Sequence, residues 1–505
     1  MTVIEKHSPV TGEKIGEYPV TSADEVERAV ERAREAFPAW RDRSLEERLQ
    51  VLDRMREVIR QNGEAYAERI SEDTGKALLD SLMTELLVVP LFIDHYRRHA
   101  EKILAPQKMW AGILFPGKKA HIEYFPRGVI GVIAPWNFPF QLSMVPVISA
   151  IIGGNTAVLK PSEVTPMVGE LIAELVDEAD VPDGVIEVVQ GDGSTGAALV
   201  EADIDMVFFT GSVATGRKVM AEAAKKPIPV ELELGGKDAM IVCEDANLRR
   251  AARGAVWGAM INCGQMCTSV ERLFVVDEIY DEYVDLLKEE IENLHVGEPR
   301  DSDVGSMTFP PQLETVKKHL QDAKKAGASI LSGGERIEGE GLYFEPTLVT
   351  GVDVDMEIYR EETFGPVLPV IRVDDEDEAV RLANDHKFGL TGSVWTGDKE
   401  RGKRLASRLE CGQVSVNDVV QSVGNPRLPF GGVKSSGFGR YHGEEGLLTF
   451  MNTKAVMVSG DRLDAEPTWF PYRGKYDDMR DLFENLLDGK WLGVGKAFVN
   501  LIRKS

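Results

Sequence analysis

The spacing of hydrophobic residues changes along the chain, and each change predicts a different kind of element. Within residues 26–37 and 49–59 the apolar side chains recur every three or four positions, which is the period of an amphipathic helix. Each segment follows a serine that stands three residues before a glutamate, Ser22 before Glu25 and Ser44 before Glu47. This spacing is typical of a capping box, so two helices are predicted to begin at these serines.

From Gly128 to about Val242, short apolar runs alternate with stretches of helical period. Alternation of this kind predicts a parallel sheet with helices on both faces. A second alternating series follows between residues 251 and 430. Ligands of such sheets bind beyond the carboxyl ends of the strands. The informative residues are therefore expected within 135–139, 160–163 and 210–216.

Composition narrows the class of protein. A chain of 505 residues exceeds one compact core, so at least two domains are expected. The 58 basic and 83 acidic residues leave a net charge of −25, which disfavours binding to nucleic acid. No secretory leader or membrane-spanning run is predicted, because the most apolar stretch, 144–159, is broken by glycines. Four cysteines are too few for a disulfide framework, so a reducing cytoplasm is expected.

Two predicted strand ends offer groups that could bind a nucleotide. The turn from Gly211 to Gly216 leads from a strand into a helix, where backbone N–H groups bind phosphate. It lacks the middle glycine of a dinucleotide fingerprint and the ending of a P-loop, and a purely structural turn is the alternative. Lys160 and Glu163 could bind the two hydroxyls of a ribose, or Ser162 could simply cap a helix.

Cys267 lies in the polar segment Gly-Gln-Met-Cys, which favours a reactive thiol over an inert packed one. No histidine is near enough in sequence for a zinc site or a Cys–His pair. Glu233 shares one face of a predicted strand with Glu231, and one of two such residues is usually solvated. Asn137 lies inside an apolar strand end, where a buried amide must be hydrogen-bonded or can serve as an oxyanion donor.

In combination these segments resemble the aldehyde dehydrogenase superfamily, over nearly the whole chain up to about Val458. The matching segments are 135–139 (PWNFP), 160–163 (KPSE), 209–212 (FTGS) with Gly216, 233–237 (ELGGK), 264–267 (GQMC), 361–366 (EETFGP) and 429–437 (PFGGVKSSG). The resemblance implies an α/β fold with a Rossmann-like NAD-binding domain (1–104 and 127–234) and an α/β catalytic domain (235–432). It also implies a small β oligomerisation domain (105–126 and 445–460), with 461–505 left as a C-terminal amphipathic tail.

Carried over by motif, the resemblance makes Cys267 the nucleophile, Glu233 the general base and Asn137 an oxyanion donor. The cofactor is expected to be NAD, with NADP as the alternative, because a carboxylate at Glu163 suits a free 2′-hydroxyl. The expected cofactor-binding residues are Trp136, Lys160, Ser162, Glu163, Gly211, Ser212, Gly216, Leu234, Glu362 and Phe364. The expected substrate tunnel consists of Phe140, Met266, Thr268 and Phe430, and no metal site is expected.

The activity implied is oxidation of an aldehyde to the carboxylic acid, on medium-chain, long-chain or aromatic aldehydes because the tunnel residues are largely apolar. Semialdehydes, with Arg427 nearby, and betaine-type aldehydes are alternatives. Transfer of the acyl group to coenzyme A is disfavoured by Glu233, and a non-catalytic relative by the presence of all three catalytic residues. A cytoplasmic homodimer or homotetramer is expected.

The last part of the C-terminal tail has the opposite sign of charge to the chain as a whole. From Lys490 onwards it has four basic residues and no acidic one. Its apolar side chains fall at helical spacing: Trp491, Val494, Phe498, Leu501 and Ile502. A basic amphipathic helix is typical of contact with an anionic membrane surface, and packing of the stripe on the protein itself is the alternative.

Overall fold

The computed structural model describes residues 2–460 and 465–504. Residues 461–464 and Ser505, which the sequence assigns to the tail, lie outside the described residues. The strands are β1 Val3–His7, β2 Lys14–Pro19, β3 Gln107–Met109, β4 Lys119–Pro126, β5 Val129–Ile133, β6 Thr156–Lys160, β7 Ile186–Val188, β8 Met206–Thr210, β9 Val230–Glu233, β10 Asp238–Val242, β11 Val270–Val276, β12 Ser329–Ser332, β13 Thr347–Thr350, β14 Val367–Val373, β15 Phe388–Gly389, β16 Thr391–Trp395, β17 Gln413–Val416, β18 Val433–Lys434, β19 Gly437–Phe438 and β20 Met451–Val458.

The α-helices are α1 Ala23–Arg41, α2 Leu45–Thr74, α3 Leu78–Asp80, α4 Val88–Leu104, α5 Gln141–Ile152, α6 Pro166–Glu178, α7 Gly193–Glu201, α8 Val213–Ala223, α9 Leu248–Met260, α10 Tyr280–Glu292, α11 Pro310–Lys325, α12 Glu357–Arg360, α13 Glu376–Asn384, α14 Lys399–Ala406, α15 Gly443–Leu448, α16 Tyr476–Leu487 and α17 Trp491–Arg503. A π-helix spans Ser81–Leu86, and 3-10 helices span Ile261–Gly264, Asp277–Ile279 and Gln421–Gly424.

Both predicted capping boxes are confirmed at the starts of α1 and α2. The side chain of Ser22 accepts a hydrogen bond from the backbone of Glu25, whose carboxylate accepts one from Ser22 in return. Ser44 and Glu47 form the same pair of bonds. These bonds satisfy backbone N–H groups that a helix start otherwise leaves unpaired.

The predicted α/β class is confirmed by two large sheets, each mostly parallel. One sheet has the strand order β19-β9-β8-β5-β6-β7, and the other has the order β12-β13-β14-β11-β10-β16-β17. Edge strands β19 and β12 are antiparallel to their neighbours, while the pairings between the other strands are parallel. Buried apolar side chains fill the strands of both, so helices cover both faces.

The chain divides into two compact units. One contains the residues up to Leu104 together with Phe125–Asn452, and the other contains Ala105–Tyr124 together with the residues after Asn452. The predicted boundary at residues 234/235 falls between β9, in the six-stranded sheet, and β10, in the seven-stranded sheet. The predicted domain limits stay a prediction. Among the described residues, no helix combines the length and apolarity that crossing a membrane requires.

The second unit combines a three-stranded sheet, ordered β20-β4-β3, with the helical hairpin of α16 and α17. The apolar stripe of the tail does not stay free. Val494 and Leu501 are buried with Leu482 of α16, and Phe498 packs beside them, while Trp491 remains 59% exposed. Most of the predicted stripe therefore forms the core of this hairpin.

Candidate active site

Cys267 lies in the loop between the 3-10 helix at Ile261–Gly264 and β11. The chain enters this loop through three consecutive residues in the left-handed backbone conformation: Asn262, Cys263 and Gly264, with φ of 51°, 56° and 70°. A Cβ added to Gly264 would lie 2.1 Å from the carbonyl oxygen of Gly365, so only glycine fits there. The thiol is half-buried, while Cys263 packs inside the core. Cys267 itself follows a 3-10 helix and precedes a strand, so no helix begins at the thiol.

Asn137 is buried next to the Cys267 loop, just beyond the carboxyl end of β5. Its side-chain Nδ2 donates to the carbonyl of Gln265, 3.1 Å away. The backbone carbonyl of Asn137 accepts hydrogen bonds from Asn262 Nδ2 at 2.9 Å and from Lys76 Nζ at 2.8 Å. An amide nitrogen has two hydrogens, so a second donor of Asn137 remains for another acceptor.

Lys76 also forms an ion pair with Glu85 that has no solvent access, with Nζ and Oε1 2.6 Å apart. The second oxygen of Glu85 accepts the backbone N–H groups of Phe140 at 3.1 Å and Gln141 at 2.9 Å. This pair therefore holds the backbone on both sides of Pro139 and carries the position of Asn137 with it.

Glu233 ends β9 and is 2% exposed, and neither of its carboxylate oxygens has a hydrogen-bond partner among the residues that the structure describes. Burial, with a further contribution from Glu231, raises its pKa well above the usual value of a glutamate. Burial also raises the pKa of the Cys267 thiol, and the carboxylates of Glu362, Asp238 and Glu233 add to that rise. The site thus favours protonated groups over charged ones.

An apolar cavity of about 370 Å³ opens onto the thiol. Of the predicted tunnel residues, Met266, Thr268 and Phe430 line it. Phe140 does not line it: its ring is buried in the core, 6.5 Å from the ring of Tyr66. A further wall of this cavity, which comes from the first hundred residues, is not predicted from the sequence. That wall is formed by Met83, Thr84, Leu87, Val88 and Leu91.

A sequence pattern does indicate that wall. The run from Leu86 to Ile93 is apolar on more than one face of a helix, which is more than packing on one side requires. Leu87 and Leu91 are 54% and 43% exposed although they are leucines. Another part of the lining comes from residues in and beside the 3-10 helix at Gln421–Gly424, which have no periodicity to reveal them, including Val420, Val423 and Asn425.

A second cavity, of about 200 Å³, contains the other part of the predicted site. Of the expected cofactor residues, Trp136, Gly211, Ser212, Leu234, Glu362 and Phe364 line it. Asn137 lines this cavity too, but not the apolar one. Five residues line both cavities: Leu142, Thr210, Glu233, Leu234 and Cys267. The thiol and the buried carboxylate therefore stand where an apolar chamber meets a polar one.

The remaining expected cofactor residues lie outside the lining of these cavities. Lys160 ends β6, is 3% exposed, and donates to the carboxylate of Glu163 at 3.1 Å. Ser162 does not cap a helix, because α6 begins at Pro166 with Thr165 before it. Gly216 lies in α8, where a Cβ would come within 2.6 Å of the side chain of Leu234.

The second cavity fits a dinucleotide in chemistry. The start of α8 lies at this cavity, and Ser212, which follows β8, caps that helix. The start of a helix is a site at which backbone N–H groups bind phosphate. Glu362 accepts the backbone N–H of Gly236 at 3.0 Å with one oxygen, and its other oxygen lies so near Gly235 that a Cβ there would clash at 2.6 Å. The rings of Trp136 and Phe364, 5.4 Å apart, provide an aromatic wall.

Known proteins resemble this chain in sequence and in fold. Residues 1–456 match the sequence model of the aldehyde dehydrogenase family. The chain is 42% identical to a 4,4'-diapolycopene aldehyde oxidase of Methylomonas sp, over 96% of this chain and 91% of that protein. It is 37% identical to a putative succinate-semialdehyde dehydrogenase [NADP(+)] of Mycolicibacterium smegmatis, over 89% and 87%. A solved Mycobacterium tuberculosis aldehyde dehydrogenase complexed with NAD+ superposes with a TM-score of 0.86 at 34% identity, covering 90% and 94%.

Glu85→Ala is expected to lower the free energy of unfolding by about 3–5 kcal/mol, because it leaves Lys76 buried without a counter-ion. Urea denaturation measures this change. Glu357→Ala, which breaks the half-exposed pair with Lys318, is the matched control and should change stability by less than about 1 kcal/mol. Equal stability of the two variants would show that the buried pair does not hold this region.

Proposed function

The chain belongs to the aldehyde dehydrogenase family, and on that premise we propose that it oxidises an aldehyde to the carboxylic acid through a thioester on Cys267. The observation that carries the proposal is the shared lining of the two cavities. Cys267 and Glu233 face both the apolar chamber, which suits the aldehyde, and the polar chamber, which suits the cofactor.

In the first half of the reaction the thiolate of Cys267 attacks the aldehyde carbon and forms a thiohemiacetal. The free N–H of Asn137 donates to the resulting oxyanion, while its other N–H stays on Gln265. Because burial raises the pKa of the Cys267 thiol, a base must take its proton, and Glu233 lines both cavities beside it. The chemistry supplied by the bound oxidised nicotinamide is acceptance of a hydride, which turns the thiohemiacetal into a thioester.

In the second half Glu233, which has passed the proton of the thiol to solvent, removes a proton from a water molecule, and the hydroxide attacks the thioester carbon. The carbon–sulfur bond breaks, its electron pair leaves with sulfur, the acid departs, and the thiolate takes up a proton from solvent to regenerate the thiol. Both oxygens of Glu233 are free to bind that water, because neither has a partner within the described protein.

Different residues are proposed to bind different parts of the cofactor. The start of α8 at Gly211 and Ser212 would bind the pyrophosphate, and Glu362 the ribose beside the nicotinamide. Lys160 and Glu163 would bind the adenine ribose, with Ser162 beside them. Gly216 would allow α8 to approach Leu234 closely. Glu163 has a 41% exposed carboxylate, which would repel a 2′-phosphate, so NAD is preferred over NADP.

The proposed substrate is a medium-chain, long-chain or aromatic aldehyde. Glu233 is the one charged side chain that lines the apolar cavity, and no lysine, arginine or histidine does so among the described residues. The carboxylate of a semialdehyde would therefore be buried without a cation, and Arg427 does not reach the lining. The relative named for diapolycopene aldehyde, an apolar polyene, supports the same class. A betaine-type cation would find no cluster of acids there.

Assembly and location are proposed on coarser grounds. The three-stranded sheet β20-β4-β3 of the second unit has a short edge strand, β3, whose three residues are exposed and which a second copy could extend. We propose a homodimer or homotetramer in the cytoplasm, where the four free cysteines stay reduced.

The C-terminal hairpin is proposed to touch an anionic membrane surface. Most of its apolar stripe packs inside the hairpin. Large apolar side chains of α16 and α17 on either side of the turn are still exposed: Phe483 (60%), Leu487 (71%), Trp491 (59%) and Leu492 (93%). The exposed lysines at 490 and 496 lie near that turn. Aromatic and apolar side chains flanked by lysine suit the boundary of an anionic lipid layer.

An aldehyde panel graded by length and charge tests the proposed activity. With NAD, NADH production is expected to be at least tenfold more efficient, as kcat/KM, on decanal or benzaldehyde than on succinate semialdehyde, since an unpaired buried charge costs more than about 1.4 kcal/mol. Cys267→Ala should lose more than about a hundredfold in rate while still binding NAD. Retained turnover in that variant would refute the assignment of Cys267.

Replacement of Glu163 by glutamine is expected to narrow the preference for NAD, because it removes the charge that repels a 2′-phosphate while keeping a hydrogen-bonding group. The measurement is the ratio of kcat/KM with NAD to kcat/KM with NADP, in the parent and in Glu163→Gln. A parent enzyme that uses both cofactors equally would contradict this assignment.

The membrane contact predicts that the protein sediments with phosphatidylglycerol vesicles and is released by salt. Replacing both Trp491 and Leu492 by serine should abolish sedimentation, whereas Val354→Ser, at an exposed residue of the first unit, should not. If all three proteins stay in the supernatant, the membrane contact is wrong.

A further inference from the structure

Glu231 is a second buried carboxylate on the strand that ends in the proposed base. It lies two residues before Glu233 in β9, and side chains two apart on a strand share one face. From the sequence, one of these two residues is expected to be solvated, but the structure buries both, leaving 5% of Glu231 and 2% of Glu233 exposed. The expectation is wrong because the loop of residues 431–439, which contains the short strands β18 and β19, covers this edge of the sheet where β19 pairs with β9.

Two glycines of that covering loop leave room for the two carboxylates. A Cβ on Gly439 would lie 2.0 Å from both oxygens of Glu231, and a Cβ on Gly431 would lie 2.8 Å from Glu233 Oε1. Any other residue at either position would displace the carboxylate beneath it. The loop therefore covers both carboxyl groups, which lie on the same face of β9.

The charged neighbours of Glu231 do not neutralise it by contact. Arg440 donates through Nη1 to the carbonyl of Gly432 at 2.9 Å, and Arg127 donates through Nε to the carbonyl of Thr449 at 2.9 Å. Neither guanidinium forms an ion pair with Glu231 among the described residues, and Glu231 Oε1 is buried without a hydrogen-bond partner. A carboxylate left without a partner in this way costs stability unless it has another use.

We infer that Glu231 takes the proton from Glu233 after each deacylation, so that the two carboxyl groups share one proton and return the base to its active form. The inference rests on the proposed role of Glu233. In deacylation a water molecule loses a proton to Glu233, its oxygen bonds to the thioester carbon, and the carbon–sulfur electron pair leaves with sulfur. The proton on Glu233 must depart before the next turnover, and Glu231 accepts it and passes it to solvent.

The electrostatics agree with a shared proton. Burial raises the pKa of Glu231 to about 8, with Arg440 and Arg127 opposing the rise. Glu231 in turn raises the pKa of Glu233, and Tyr441 and Cys267 are the other titratable groups near this pair. A carboxyl group that titrates slightly above neutral pH can both accept and release a proton under ordinary conditions.

The test separates acylation from deacylation in Glu231→Gln, which keeps the size of the side chain and removes its proton acceptor. We expect the NADH burst and KM to stay within about twofold, and the plateau of kcat to fall about tenfold. The acid limb of the kcat–pH profile should move to lower pH by about one unit, because Glu233 loses a negative neighbour. Glu231→Asp should restore kcat towards the parent value. Glu27→Gln, on the exposed face of α1, controls for the loss of one charge.

Two results would overturn the inference. One is an unchanged kcat plateau and pH profile in Glu231→Gln. The other is an equal loss of burst and steady-state rate together with a lower midpoint of thermal unfolding, which would make Glu231 a structural residue. A Cys267→Ala variant that keeps the parent rate of NADH production would instead refute the proposed function on which this inference rests, so the two failures are distinguishable.

Discussion

The ion pair between Lys76 and Glu85 is the interaction on which the reaction centre depends. Neither side chain reaches solvent, yet together they bind the carbonyl of Asn137 and the N–H groups of Phe140 and Gln141. Burying two charges is costly, and the cost is offset only where further hydrogen bonds satisfy the remaining donors and acceptors. Here those further bonds go to the backbone that carries the proposed oxyanion donor, so stability and catalytic geometry depend on the same contacts.

The site around the thiol is rich in carboxyl groups and poor in cations. Burial raises the pKa of Glu362 to about 8 and that of Asp238 to about 7, as it raises those of Glu231 and Glu233. Such groups hold protons near neutral pH and release them readily. This environment suits a reaction that must move one proton from sulfur and another from water without leaving an unpaired charge in a buried site.

The two cavities divide binding from specificity. The polar chamber is built on strand ends and on the start of α8, which are features that any phosphate-containing cofactor can use. The apolar chamber is lined largely by the π-helix, α4, α5 and irregular segments, and its lack of cations among the described residues is the basis of the proposed preference for apolar aldehydes. Loops and irregular helices can change without disturbing the sheets, so the lining of this chamber can change while Cys267 and Glu233 stay in place.

The sequence by itself determined the alternation of strands and helices, both capping boxes, and the strand ends at which Asn137, Glu233 and Gly211 lie. These features depend on local periodicity and spacing, which are readable without neighbours. Only the tertiary structure decided that Glu231 is buried, that Phe140 packs against Tyr66, and that Leu87 and Leu91 line the substrate cavity. Burial and pKa depend on segments distant in sequence that cover a residue, as the loop with Gly431 and Gly439 covers β9, and no local pattern encodes that cover.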